Sequence, residues 1–323
     1  YWMIDDMQIV ETPDHKLKLT ETNYGGWYTN SPTTTNSFGL EYSLNPIDQV
    51  IANPYEFSGM VANLGSLDQN TKLNAEVFND IGVSIFTTNS NDSVLTVLDT
   101  TTFVCNNTFT PSVMGQYYFN TWAISDSTIT DIDTNGSIMT DSVYGRDHGI
   151  DYSEYGLGRS CGGMVIGNYF DVYSADDVTS ISVFIKDNSV AGAIIYVALY
   201  EVDVTNTKIW LTQSDDYTLQ QQDLGNWVTI PFPISYNVLP ASYMAAVGSY
   251  AHPSDTSMLG MSQYTEPVTC YIQKNGCLNT GQTYGSWYWL SRAPMIRMNF
   301  GTPISSIYEK EFEGTMQVYP NPT

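Results

Sequence analysis

The amino-acid sequence predicts an all-β protein of two antiparallel β-sandwich domains, an immunoglobulin-like sandwich followed by a larger jelly-roll-like one. Three observations lead there. Helical periodicity is almost absent from the 323 residues, while Thr, Val, Ile, Tyr and Trp alternate with polar neighbours at the two-residue spacing of strands. Clusters of Gly, Asn, Asp and Pro punctuate these runs and supply turns. The runs form two blocks on either side of a polar, Asp-rich stretch, and the length suffices for a core in each.

Taken in order, residues 1–14 (YWMIDDMQIVETPD) read as one strand ending in a proline turn, with no partner before it. They are expected to be the last strand of a preceding domain and its linker, the chain being a piece of a larger precursor. Residues 15–128 hold the first sandwich, with runs at KLKLTE, EFSGMVANLG, TKLNAEVFND, GVSIFTTN, SVLTVLD, FVCNNTFT and GQYYFNTWAIS. Their number and turn spacing suit an immunoglobulin-like fold. In the third run Leu73, Ala75 and Val77 alternate with polar residues, so one face is expected to be buried.

Residues 129–142 have the polar composition of an interdomain linker. Residues 143–302 hold nine further runs: MVIGNYFDVY, SISVFIKD, GAIIYVALYEV, WLTQS, WVTIPF, SYMAAVGSY, MLGMSQ, VTCYIQ and PMIRMNF. That count in one longer block suits a jelly-roll. Residues 303–316 form a second linker. In the final segment, 317–323, Pro320 and Pro322 each remove a backbone donor and push the preceding residue to extended geometry, so an extended arm is expected.

With Lys+Arg 11 against Asp+Glu 34, the formal net charge is −23, which disfavours a nucleic-acid partner because little is present to replace phosphate counterions. Dispersed acidity of this kind gives a solvated, self-repelling surface. No apolar run approaches the ~20 residues of a membrane-spanning helix. Of the four cysteines, Cys105, Cys161, Cys270 and Cys277, the last two flank YIQKNG, which suits a small disulfide-closed hairpin worth about 2.5 kcal/mol in an oxidising compartment. A pair of buried free thiols is the alternative, and no Cys/His cluster argues for zinc.

Chemistry-bearing motifs are few. Residues 158–162, GRSCG, match G-x-S-x-G, but a nucleophile elbow needs a strand before it and a helix after it, and here a polar loop is followed by a strand. His15, His148 and His252 lie far apart and none sits in H-E-x-x-H. Asp131, Asp133 and Asn135, followed by Gly136, form D-x-D-x-N-G, the first half of a calcium loop, although Ser142 stands where a bidentate Glu would close it. Calcium is therefore the one cofactor the sequence suggests, against a solvated linker. Trp287 and Trp289 sit two residues apart on one side of a strand, with Tyr284 nearby. Exposed, the three would be a platform for sugar rings; buried, they would be core.

The closing residues Val318, Tyr319, Pro320, Asn321 and Pro322 resemble the opening strand of the C-terminal sorting domain of Bacteroidota proteins exported by the type IX secretion system. Residues 1–11 resemble the last strand of jelly-roll or MAM-like domains common in such proteins. Residues 57–78 resemble their immunoglobulin-like adhesion modules, and DSVYGRDHG (141–149) the entry into their last sandwich. The resemblance implies export through the type IX machinery, followed by release or attachment to the outer-membrane surface. It also implies periplasmic O-glycosylation at D-[S/T]-[A/I/L/M/T/V] sites, matched at Ser93, Thr100, Ser127 and Ser142. The alternative for these four is ordinary Asp-Ser/Thr turns. The function expected is non-catalytic: adhesion, spacing, or binding of a glycan or another surface protein. The other expectation is an accessory region of a secreted peptidase or polysaccharide-degrading enzyme whose catalytic domain lies upstream.

Overall fold

A computed structural model of the chain describes residues 11–24, 42–147, 149, 151–157, 162–252, 256–265, 268–276, 283 and 285–301. Strands β1 (Leu17–Asn23), β2 (Leu44–Pro46), β3 (Ser58–Asn63), β4 (Gln69–Asn79), β5 (Ser84–Asn89), β6 (Ser93–Leu95), β7 (Thr100–Val104), β8 (Gly115–Ser125), β9 (Asp133–Thr140) and β10 (Val143–Gly145) come first, with one short helix, α1 (Ile47–Ala52). Strands β11 (Ser153–Gly156), β12 (Met164–Val172), β13 (Asp176–Ile185), β14 (Ile194–Val202), β15 (Lys208–Gln213), β16 (Tyr217–Thr218) and β17 (Asn226–Val238) follow. The last are β18 (Ala241–Ser249), β19 (Met258–Tyr264), β20 (Cys270–Lys274), β21 (Trp287–Trp289), β22 (Arg292–Pro294) and β23 (Ile296–Phe300).

The fold is all-β, with antiparallel sheets packed as sandwiches. Three sheets make it: a small one ordered β1-β3-β7; a long one of 13 strands running β11-β19-β13-β23-β10-β2-β9-β8-β4-β5, with β17, β22 and β6 paired to β13, β19 and β4 off that path; and a third of 7 strands ordered β15-β14-β18-β12-β20-β21, with β16 paired to β14. The small sheet covers the β9-β8-β4-β5 end of the long one. Phe57 and Val61 from β3 and its approach meet Leu73, Ala75 and Val77 of β4 and Phe119 of β8 in that core, as the alternation in β4 requires. The third sheet covers the other end, where Ile166 and Phe170 of β12 meet Val178, Ile181 and Val183 of β13 and Met298 of β23.

Two hydrophobic cores thus lie under one continuous sheet. The bridge between them is β2: Leu44 pairs in parallel with Ile138 of β9 and antiparallel with Gly145 of β10. Side chains cross the seam. Tyr42 belongs to the second core, 4.5 Å from Tyr144 between ring centroids, and its hydroxyl accepts from Asp171 N at 2.9 Å. Gln49 of α1 is buried, accepting from Tyr173 N and Ser174 N at 2.8 and 3.0 Å and donating to Ser174 O at 2.8 Å.

Residues 129–142, expected as a linker, instead carry β9, which pairs with β8 from Gly115↔Met139 to Thr121↔Asp133. The polar composition misleads because one face of β9 is solvated and the buried face also carries a polar residue. Ser137 is satisfied there, receiving Asn45 Nδ2 at 2.7 Å and donating to Tyr42 O at 2.9 Å. The segments 1–10 and 302–323, and with them the expected preceding strand, the whole second linker and Val318 to Pro322, lie outside the described residues.

Candidate ligand-binding face

Residues directly opposed on neighbouring strands project from the same face of a sheet. In the third sheet the register sets Tyr196 of β14 opposite Gly248 of β18, Gly248 opposite Val165 of β12, and Val165 opposite Gln273 of β20, which in turn meets Trp287 of β21. The next row is Ala198, Ala246, Gly167, Tyr271 and Trp289, and the one after joins Trp210 of β15, Tyr200, Met244 and Tyr169. All of these lie on the face opposite Phe170 and Asn168, because β12 alternates, and Val165, Tyr169, Met244, Ala246 and Tyr271 among them are buried members of the second core. Asn168 Nδ2 reaches Pro294 O and Ile296 O on the opposite sheet at 2.7 and 3.1 Å.

This face is concave. Trp287 and Tyr200 are separated by three intervening strands, which on a flat sheet would hold their backbones about 19 Å apart, yet their rings meet edge-on with centroids 5.7 Å apart and planes at 77°. Lys208 of β15 likewise reaches across to the rings of β12, β20 and β21, its Nζ 3.8 Å from the Tyr271 centroid, 5.4 Å from Tyr169 and 5.9 Å from Trp287. Small residues in the floor let the rings lie down on it. A Cβ on Gly248 would sit 2.3 Å from Tyr196 Cζ, and one on Gly167 would meet Ala245 O at 2.6 Å.

The cation is held from below. Lys208 Nζ donates to Asn206 O and Oδ1, both at 2.9 Å, and Asn206 Nδ2 donates to Tyr271 OH at 2.9 Å while Tyr169 OH donates to Asn206 Oδ1. Asn206 has the left-handed φ of +64° that Asn tolerates in a turn. Burial lowers the Lys208 ammonium from 10.5 to about 8, and burial raises the Tyr200 phenol to about 12. Tyr169 and Tyr271 are stacked at 4.8 Å and nearly fully buried, so they are the walls of the cleft rather than its surface. The accessible surface lies at the lips, where Trp210 is 56% exposed, Trp289 52% and Tyr250 47%. Tyr250 packs on Tyr196 at 5.2 Å and donates to Asp216 Oδ1 at 2.9 Å.

The residues expected from sequence fall as follows. Trp287 is half-buried in the cleft and Trp289 stands on its lip, so the pair divides between the two alternatives; Tyr284 lies outside the described residues. Sequence reasoning missed Tyr196, Tyr200, Trp210, Tyr250 and Lys208, which come from strands distant in the chain. Alternation in GAIIYVALYEV would have put Tyr196 and Tyr200 on one face, but not told which face. Asp133 and Asn135 open β9, where Asp133 Oδ2 accepts from Thr22 Oγ1 and, at 2.8 Å, from Asn135 Nδ2. Asp133 and Asn135 thus meet on one face of β9, while Asp131 precedes the strand. Among the described residues no three of His, Cys, Asp or Glu converge closely enough to hold a metal ion.

Cys270 is a free, buried thiol and not half of the expected Cys270–Cys277 bond. It points inward from β20, with Sγ 3.2 Å from both Leu290 O and Arg292 O, and burial raises its pKa to about 12. Cys277 lies outside the described residues, as do Cys161, His148 and residues 158–160. Ser93, Thr100 and Ser127 are exposed and Ser142 is half-buried. No helix among the described residues is long and apolar enough to cross a membrane.

No protein-family model matches the chain, and no curated protein matches it. Among solved structures it is similar to an α-L-rhamnosidase from Dictyoglumus thermophilum, with 9% identity and a TM-score of 0.25 over 88% of this chain and 29% of that one. It is also similar to the structure of the infectious bursal disease virus Gt strain, with 12% identity and a TM-score of 0.26 over 92% of this chain and 80% of that one. Derived T=1 particles of the same virus give 13% identity and a TM-score of 0.27, over 92% and 77% of the two chains. Similarity at this level carries no argument about function, and the chain spans under a third of the rhamnosidase.

Proposed function

We propose that the chain is a non-catalytic β-sandwich region of a secreted or outer-membrane-surface protein, exported by the type IX secretion machinery, whose second sandwich binds a glycan on the concave face of its third sheet. The observation that carries the binding role is the pair of exposed indoles, Trp210 and Trp289, on the two edge strands of a cleft lined with half-buried tyrosine rings. Large amphipathic rings fixed in place offer flat apolar area to the C–H faces of sugars at little entropic cost. Rigid strands set their spacing. Supporting export and decoration are the Val318 to Pro322 resemblance and the exposure of Ser93, Thr100 and Ser127.

The test is a glycan array probed with the purified chain. Binding that is lost in Trp289→Ala and Trp210→Ala supports the reading; binding indifferent to both, or none, removes it. Decoration is tested separately by intact mass. Protein from the native host should exceed the sequence mass, and the excess should fall in Ser127→Ala.

A further inference from the structure

The ring-lined face also carries a distribution of charge that bears on the kind of glycan it can take. By register, the strands of this face present a single cation, Lys208, among their described residues. Its ammonium is engaged with two oxygens of Asn206 and lies over the Tyr271 ring. Two of its three N–H donors are spent on Asn206 and its charge is already faced by the Tyr271 ring, so at most one donor remains for an anionic ligand. The polar groups placed outward are of the opposite sign. Asp215 and Asp216 are exposed after the end of β15, with Asp216 beside Tyr250, and Asp203, half-buried and accepting from Thr205 and Thr207, precedes the other end of that strand. The chain as a whole carries −23.

We infer that the concave face of the third sheet takes a neutral, hydroxyl-rich oligosaccharide and rejects glycans bearing uronate or sulfate groups; this rests on the glycan-binding reading above. A carboxylate is an acceptor only, so Asp216, which uses one oxygen on Tyr250, offers its remaining lone pairs to sugar hydroxyls, and these are charge-assisted bonds. Gln273, directly opposite Trp287, adds an amide at the same level of the cleft, its Nε2 held by Gly285 O at 2.7 Å and its carbonyl oxygen still able to accept. Aromatic walls with a few fixed acceptors are the make-up of a site for a ligand that is apolar on its ring faces and a donor at its edges. Asp203 and the Asp215–Asp216 pair stand at opposite ends of this edge, so a uronate or sulfate bound toward either end meets like charge, which at 0.1 M salt is felt over about 10 Å.

The experiment is affinity electrophoresis of the intact 323-residue chain. Gels contain either a neutral polysaccharide (xyloglucan, mixed-linkage β-glucan or galactomannan) or an acidic one (polygalacturonate or alginate), at low salt and at high salt. The expected result is retardation by a neutral polymer, weakened at least tenfold in Trp289→Ala and in Tyr250→Ala and changed less than twofold by salt, with no retardation by the acidic polymers. Near-ultraviolet circular dichroism verifies that both variants are folded, and Trp210→Ala repeats the test from the other lip. Retardation by acidic polymers alone, salt-sensitive and abolished in Trp289→Ala, would overturn the neutral class while leaving the face as the binding site. Retardation by neutral polymers that none of the three substitutions weakens, or by no polymer at all, would overturn both.

Discussion

Lys208 is the residue whose chemistry depends most on where the fold puts it. Its pKa falls from 10.5 to about 8 because burial penalises the ammonium. Between those values the unfolded chain holds a proton that the folded chain has released, so this group makes folding more favourable as pH rises from about 8 toward 10.5. The penalty is complete below that window and relieved above it. Lys208→Met removes it, so the stability difference between variant and parent should be most favourable to the variant at pH 7 and shrink by pH 10, measured by urea unfolding at both. An unchanged difference would mean that the ammonium is as well hydrated folded as unfolded. Gln49 is the second telling residue. Gln49→Ala takes the shared acceptor from two part-buried amides, those of residues 173 and 174, and a loss of roughly 1–3 kcal/mol is expected. Neither role is legible in the sequence, where Lys208 follows a polar turn and Gln49 lies in a short stretch with no strand signature.

At the scale of elements, β14, β18 and β12 work as a unit because small residues in one strand admit large rings from the next. Gly248→Val would drive a side chain into the ring of Tyr196, whose Cζ lies 2.3 Å from the position of a Cβ. The expected cost is roughly 1–3 kcal/mol of overpacking, with glycan affinity falling alongside as Tyr196 is displaced. A loss of affinity with no loss of thermal stability would show that the ring swings away freely. Strand β9 makes the opposite point about reading elements. Its Asp-Thr-Asn-Gly-Ser start has turn composition, yet it pairs with β8 along seven residues because Ser137 and Met139 fill inward positions. Long alternating runs such as TKLNAEVFND were legible as strands, since apolar side chains at every second position have few other uses. Short strands with polar inward residues were not.

For the whole molecule, the continuity of the 13-stranded sheet matters more than the separation of the two cores. Breaking one sandwich exposes the edge of the other at β2 and β10, and Tyr42, Gln49 and Asn45 lose partners across the seam. Calorimetry should therefore show one cooperative transition, with proteases failing to cut residues 133–140 in the native state. Two resolved transitions would show that the seam transmits little. Beside it, Arg297 holds Asp147 through two bonds of 2.9 and 2.8 Å, both side chains buried and the guanidinium 3.9 Å from the Trp227 ring centroid. Asp147→Ala would remove both of those buried charge-assisted bonds, and a loss of about 3–5 kcal/mol is expected.

By itself the sequence determined the all-β class, the large acidic excess and the presence of two cores, because alternation, turn residues and composition are local properties that no packing arrangement can undo. It also drew attention to Trp287 and Trp289. Only the tertiary structure decided that β9 belongs to a sheet shared by both sandwiches, that the Cys270 thiol is free, and that rings from β12, β14, β15, β20 and β21 converge on one concave face. Strand pairing between segments more than a hundred residues apart, as for Val143 with Asn299, is selected by the fit of whole faces. Curvature depends on where the small residues of neighbouring strands fall in register, and a register is a relation between strands that neither strand carries alone.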